Sequence, residues 1–426
     1  MKKWASTLLA VICAGVIATG CGGGGQTEGS DNANNSKAEK VTVTLWGLDS
    51  HYWVEPAIEA FEQANPQIHV EYTKYAVDPM KEALKIAANS RTLPDMWFTW
   101  GGSLGGFYPE NGLTMDLTQA AADHKWSEKY NQAAIEMATY DGKVSGVPLS
   151  LNVLGLWYPK SAADKFGLAP AASLAEFESQ LQTLKDGGLT PFSMAGKGGW
   201  HIMRLTEQLL EHYAGPELHD KLNRMEASWN DPAVVRTFAK LKEYADKGYF
   251  AKGHISLDPN EAAATFYQEQ AGFTIEGTWF DRNIVQNGFS PESFAVTAFP
   301  NGHNPPRPSV FTEMYQINGD IEAAKQEAAL QFAEFMTGSD FVSQHIEQYA
   351  SPAALGVKYA DSTPHIKPLV DSAASGSFLI TDQALPQIVV QKLFESQDRV
   401  TLGEWTPEQA AAAMQKAVEE YKQQHQ

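Results

Sequence analysis

Gly101-Gly-Ser-Leu-Gly105 is the stretch of this 426-residue chain whose spacing comes nearest to catalytic machinery. The G-x-S-x-G pattern follows a predicted strand, as a nucleophile elbow does, and Asp and His residues lie downstream in a usable order. The chemistry would be acyl transfer at Ser103. The context favours another role, because this is only the third predicted strand and no HGGG-type oxyanion segment precedes it. A Gly-rich loop at a cleft lip, where backbone approaches a ligand, accounts for the same residues. No Gly-Lys-Ser/Thr follows, so the phosphate-loop pattern is absent. No H-E-x-x-H occurs, and the scattered histidines suit surface or hydrogen-bonded positions better than metal ligation. Carboxylates are numerous, but spacing singles out no glycosidase pair.

Recognition without reaction is written more clearly. Of 11 tryptophans only Trp4 lies in the N-terminal leader. Trp46, Trp100, Trp200 and Trp279 each fall at a predicted strand end or in a Gly-rich loop. Aromatic rings cover the apolar C–H faces of a sugar, while carboxylates and amides bind its hydroxyls. Asp49, His51, Ser150, Asn152, Asp281 and Glu313 lie in matching polar places. These ten residues are the candidate ligand-binding set.

The elements that position them follow from periodicity. Val41, Val43 and Leu45 alternate as a strand, and Val54, Ala57, Ile58 and Phe61 recur at helical spacing. Ile68, Val70 and Tyr72 alternate again. Asp78-Pro79 predicts a helix start, and Met96 to Trp100 a buried strand. Such a βαβαβ order implies a parallel sheet covered by helices, with ligands beyond the carboxyl ends of its strands. Asp141-Gly142 marks a hairpin. Leu149 to Tyr158 is one long extended stretch, suited to crossing between domains. Asp258-Pro259 caps a helix before Phe273-Thr-Ile-Glu-Gly-Thr-Trp279. There Phe273 and Ile275 alternate with Thr274 and Glu276, predicting a strand with one buried face, and Gly277 permits the turn that exposes Trp279. Thr406-Pro-Glu-Gln409 is a capping box for the last helix.

The chain begins with Lys2 and Lys3 ahead of an apolar run too short to span a bilayer, so residues 1–20 read as a signal peptide. Cys21 follows a small residue, which resembles a lipoprotein cleavage site. Residues 21–40 are Gly-, Ser- and Asn-rich, a flexible tether. Only Cys13 and Cys21 occur, so the mature domain has no internal disulfide and no Cys-based metal site. The net charge of −19 argues against nucleic acid and anionic membranes as partners. The remaining ~390 residues fill two ordinary domains.

An ordered set of segments gives a more specific reading. It runs through Ala60-Phe-Glu-Gln-Ala-Asn-Pro66, Leu93-Pro-Asp95 and Asp141-Gly-Lys-Val-Ser-Gly-Val-Pro148. It continues with Trp157-Tyr158 and Lys160, Ala271-Gly-Phe-Thr-Ile-Glu-Gly-Thr-Trp279, Phe299-Pro-Asn-Gly302 and Ala328-Ala-Leu-Gln-Phe-Ala-Glu-Phe-Met336. From Val41 to its end the chain resembles the extracellular solute-binding lipoproteins of carbohydrate ABC importers, the maltose-binding-like group. Phe98-Thr-Trp-Gly-Gly102 and Gly196-Lys-Gly-Gly-Trp200 are similar to members that take short oligosaccharides. The resemblance implies an α/β fold of two lobes around a cleft, residues 41–149 plus 294–338 and residues 150–293 plus 339–426. It implies capture of a mono- or oligosaccharide and delivery to the permease subunits of an ABC importer, by a monomer without cofactor or catalysis, anchored to the membrane through lipidated Cys21. A surface hydrolase using Ser103 or a carboxylate pair, and a receptor for a non-sugar ligand, are the alternatives.

Two acyl chains on Cys21 would anchor the chain stably where one would not. Cys21→Ala is therefore expected to release folded protein into the medium, as measured by fractionating cells; variant kept on the membrane would refute the anchor.

Overall fold

The computed structural model describes residues 40–425; Cys21, the leader and nearly all of the tether lie outside the described residues. Among the described residues no helix is long and apolar enough to cross a membrane.

The first three strands are β1 (Val41–Leu48), β2 (Ile68–Tyr75) and β3 (Met96–Trp100), with β2 and β3 parallel to β1 on either side. Parallel neighbours need crossovers, supplied by helices α1 (Val54–Ala64) and α2 (Val77–Ser90). Val54, Ala57 and Phe61 are the buried face of α1, as their spacing requires. The second helix starts two residues earlier than the Asp78-Pro79 signal suggested. Ala76 is its N-cap, and Asp78 sits in the first turn with its carboxylate free to bind elsewhere. Helix α3 (Gly102–Glu110) leaves β3 at once. The hairpin of β4 (Thr139–Tyr140) and β5 (Lys143–Val144) turns through Asp141 and Gly142, both at positive φ, the geometry such two-residue turns favour.

Strand β6 (Val147–Pro159) joins the two lobes. Its first half pairs antiparallel with β10 (Ser309–Ile317), and its second half with β8 (Ala271–Gly277) and β9 (Phe294–Thr297). The short strand β7 (Thr190–Phe192) is parallel to β8, and β11 (Phe378–Leu379) is parallel to β10. The strand order is therefore β2-β1-β3-β10-β6-β8-β7. Both ends of this sheet are covered by helices, giving two α/β lobes. The long extended stretch read from sequence is thus a single strand lying between β10 and β8.

Strand β8 differs from its expected alternation, since every residue from Ala271 to Gly277 is buried. The polar face does not meet water but partners. Thr274 donates to the Ser193 carbonyl at 3.0 Å, and Glu276 accepts from Arg204 at 2.6 Å. Helices on both sides of a central strand leave no solvated face.

Asp95, from the Leu-Pro-Asp segment, pins the first lobe. Its carboxylate accepts from the Thr44 amide (2.8 Å) and hydroxyl (2.9 Å) and from Lys325 of the helix Ala323–Thr337 at 3.1 Å. The aspartate is buried and the lysine is not. Removing the carboxylate leaves the half-buried Thr44 amide and hydroxyl without their acceptor, at ~1–3 kcal/mol. Asp95→Ala is expected to lower unfolding free energy by about 2–3 kcal/mol in urea titration, with ligand affinity of the folded protein unchanged.

Candidate functional site

Beyond the carboxyl ends of β1 and β3 the lobes enclose a cavity of about 530 Å³. Seven of the ten candidate residues line it: Asp49, His51, Trp100, Ser150, Trp200, Trp279 and Glu313. Three do not. The ring of Trp46 lies against Tyr75 at 5.2 Å. Asp281 is fully buried and accepts from the His365 amide and Nδ1 at 2.8 and 2.7 Å, holding that loop to its own helix. Asn152 is buried one layer behind the cavity, where it orients others.

That layer is a directed chain. Thr278 donates its hydroxyl to Asn152 Oδ1 at 2.9 Å. Asn152 Nδ2 donates to Ser150 Oγ at 2.9 Å, and Ser150 donates to Glu313 Oε2 at 2.7 Å. Glu313 opposes Ser150 in the β10–β6 ladder, and the register shifts between Glu313 and Met314. Such an irregularity re-aims a side chain. Burial pushes the Glu313 carboxyl above its usual range, against the pull of Ser150, Asn152 and the Arg282 charge.

The tryptophans are threaded by cations. Lys81 Nζ is 5.0 Å from the Trp100 ring and 5.6 Å from that of Trp200. The Arg204 guanidinium is 4.8 Å from Trp200 and 5.0 Å from Trp279. One cation–π contact contributes ~0.5–2 kcal/mol. Trp200 also donates its indole N–H to Asp78 Oδ1 at 3.1 Å, linking the loop of the second lobe to α2 of the first. Arg204 is held by Glu276, which Nε2 of His201 approaches to 3.2 Å. Burial alone would raise Glu276, but these two neighbours hold it below its usual value. Burial lowers the Lys81 ammonium, with Asp382 and Asp78 opposing.

Gly277 acts differently from its expected turn role. A β-carbon there would lie 2.0 Å from Cζ3 of Trp279, so the missing side chain is the seat of the ring. Beneath the cavity His51, Trp53 and Tyr349 form a stacked column with centroid separations of 4.2 and 4.6 Å. Burial, and then the Arg282 charge, push His51 well below the usual histidine range.

Among the described residues Ser103 touches no base. Its hydroxyl accepts from Gln387 Nε2 at 2.9 Å and is 3.4 Å from the Asp382 carbonyl. Lys81, Arg204, Arg282, Asp78 and Asp382 also line the cavity and were not among the sequence candidates. The helical spacing of Trp200 and Arg204 was the available signal, since residues four apart share a helix face.

Comparison with known proteins agrees with this geometry. Residues 56–367 match the family model described as bacterial extracellular solute-binding protein. An uncharacterised ABC transporter extracellular-binding protein of Pyrococcus horikoshii is 28% identical over 64% of this chain, and the match spans 65% of its length. The multiple sugar-binding protein of Streptococcus mutans is 25% identical over 80% of this chain and 81% of its own. Among solved structures, a chitin oligosaccharide binding protein superposes with a TM-score of 0.82 at 24% identity, covering 90% of this chain and 99% of that one. The maltose/maltodextrin-binding domain of Bdellovibrio bacteriovorus, bound to maltotriose, gives 0.72 at 20% identity over 90% of this chain and 100% of the domain.

Behind the cavity, Glu207 is buried and accepts from the Thr381 amide at 2.9 Å, beside Asp382. Burial pushes its carboxyl up to about 8. A value raised on folding stabilises fully below the unfolded pKa, and that contribution is lost as pH rises through the folded one. Wild type is expected to lose stability relative to Glu207→Gln as pH rises from about 5 to about 9, read by urea titration at each pH; parallel profiles would refute the assignment.

Proposed function

We propose that this chain, which belongs to the bacterial extracellular solute-binding proteins, captures a short oligosaccharide between its lobes and delivers it to the permease of an ABC importer. The observation that carries this reading is the meeting of Trp100, Trp200 and Trp279 with Asp49, Ser150 and Glu313 in one cavity. Rings cover apolar sugar faces, and fixed acceptors hold hydroxyls. The named functions of the sugar-binding relatives support it. The full candidate set, including Asn152 as a positioning residue behind Ser150, is part of the proposal.

The family sets the location outside the cytoplasm. Lipidation of Cys21, action as a monomer and absence of catalysis belong to the proposal. Against catalysis stands the setting of Ser103, whose partners are an amide and a carbonyl. Capture works through the lobes. A ligand favours the closed arrangement only by its differential affinity for it. Trp100 comes from the first lobe, and Trp200 and Trp279 from the second. A sugar stacked on rings from both lobes binds the closed form better.

A thermal-shift panel of sugars tests the reading, since ligand at 100 times its dissociation constant adds ~2.7 kcal/mol of stability. Trp279→Ala tests the site. Covering ~80–100 Å² at ~25 cal/mol per Å² contributes about 2 kcal/mol, so calorimetry is expected to show affinity for the panel's best sugar falling roughly thirtyfold. Stability of the free protein should fall by less than the ~3–5 kcal/mol of a core tryptophan. Unchanged affinity in the folded fraction would return Trp279 to a packing role.

A further inference from the structure

A second and larger cavity, about 1,320 Å³, opens beside the first. The two share Lys81, Trp100, Leu104 and Gln383 as walls. Between them the lobes touch. Gly102, at φ +58°, approaches so closely that a β-carbon would lie 2.2 Å from the Gln383 carbonyl oxygen, and Gln387 donates to Ser103. The Gly-Gly-Ser segment therefore forms a closure contact, which a serine nucleophile would not need.

The second chamber is lined by a mixed surface. Phe107, 38% exposed, and Tyr421 supply rings; Asn111, Gln387 and Gln391 supply amides. Gln383 is only 4% exposed, and its Oε1 accepts no hydrogen bond. A buried, unpaired acceptor is costly to leave unmade, and this one belongs to a side chain lining both chambers. At the common wall Lys81 donates no hydrogen bond among the described residues. Its nearest carboxylate is Asp78 at 3.9 Å, and its ammonium rests over Trp100 and Trp200.

We propose that the second chamber continues the binding site and takes further units of the same neutral oligosaccharide, which passes the wall where Lys81 now lies between the two rings. The proposal rests on the sugar reading above and extends it to chain length. A compact small-molecule pocket is ~300–1,000 Å³. The first chamber falls within that range alone, while the second exceeds it, as an elongated ligand would require. The lining also carries charges of both signs, Glu82, Glu110 and Asp220 with Lys85 and Arg224; mixed acceptors and donors beside rings suit the hydroxyls and C–H faces of a sugar. Lys81 is the movable element, because its ammonium rests on two ring faces and its ion pair with Asp78 is long, at 3.9 Å, with no direct hydrogen bond to break.

The test is calorimetry of the full chain with α-1,4-glucose, β-1,4-N-acetylglucosamine and β-1,4-xylose oligomers of increasing length, from two units to six. In the series that binds, affinity is expected to rise at least tenfold with length. Phe107→Ala and Gln391→Ala, at exposed positions confined to the second chamber, should lower affinity for the longest oligomer by roughly fivefold to tenfold and leave the shortest unchanged. Equal affinity at all lengths, or variants that leave the long oligomer unaffected, would overturn the extension while the sugar reading stands. Failure of every oligomer to bind would overturn both.

Discussion

A buried line of hydrogen bonds from Thr278 through Asn152 and Ser150 to Glu313 is the constraint on which the site depends. Each member would cost ~1–3 kcal/mol if buried unpaired, so the line is stable only when complete. Completing it fixes three elements at once. Thr278 follows the central strand of the second lobe, Asn152 and Ser150 lie on the strand shared by both lobes, and Glu313 belongs to the strand paired with it in the first. The carboxylate is thereby aimed into the cavity from the β10–β6 pairing.

Electrostatics organise the remainder. The cavity holds both signs, with Lys81, Arg204 and Arg282 facing Asp49, Asp78, Glu313 and Asp382. Arg204 is committed to a close carboxylate through Glu276, and Lys197 at the rim to Asp258 at 2.9 Å. Burial raises Asp382 against the opposing charges of Lys81 and Arg204. A neutral, hydroxylated ligand can donate to the acids and accept from the cations without adding net charge. An ionic ligand would unbalance groups already held apart from water.

The frame of the fold was legible because periodicity reports burial. The alternation of Val43 and Leu45, the helical spacing of Val54, Ala57 and Phe61, and the length of the crossing strand all translate directly into elements. Strand β8 was legible only in part. Alternation predicts a solvated face at Thr274 and Glu276, but tertiary packing gave these polar groups partners instead of water. The aromatic members of the site were visible through their positions at strand ends. Lys81 and Arg204 were not, because a cation gains its meaning from rings distant in sequence. Asp281 shows the opposite failure. It was counted with the polar cleft residues, yet the first helical turn directs it to His365.

The empty side-chain position at Gly277 has a further consequence. Because the six-membered ring of Trp279 rests on main chain, its orientation is set before any ligand arrives. Arg204 on its face and Phe311 at 5.6 Å restrict it further. Immobilising a free side chain on binding costs ~0.5–1.5 kcal/mol. Here that freedom has already been removed during folding, so a ligand stacked on Trp279 would meet a ring that is already fixed. A residue with no side chain would thus contribute to affinity through entropy that the complex never has to lose.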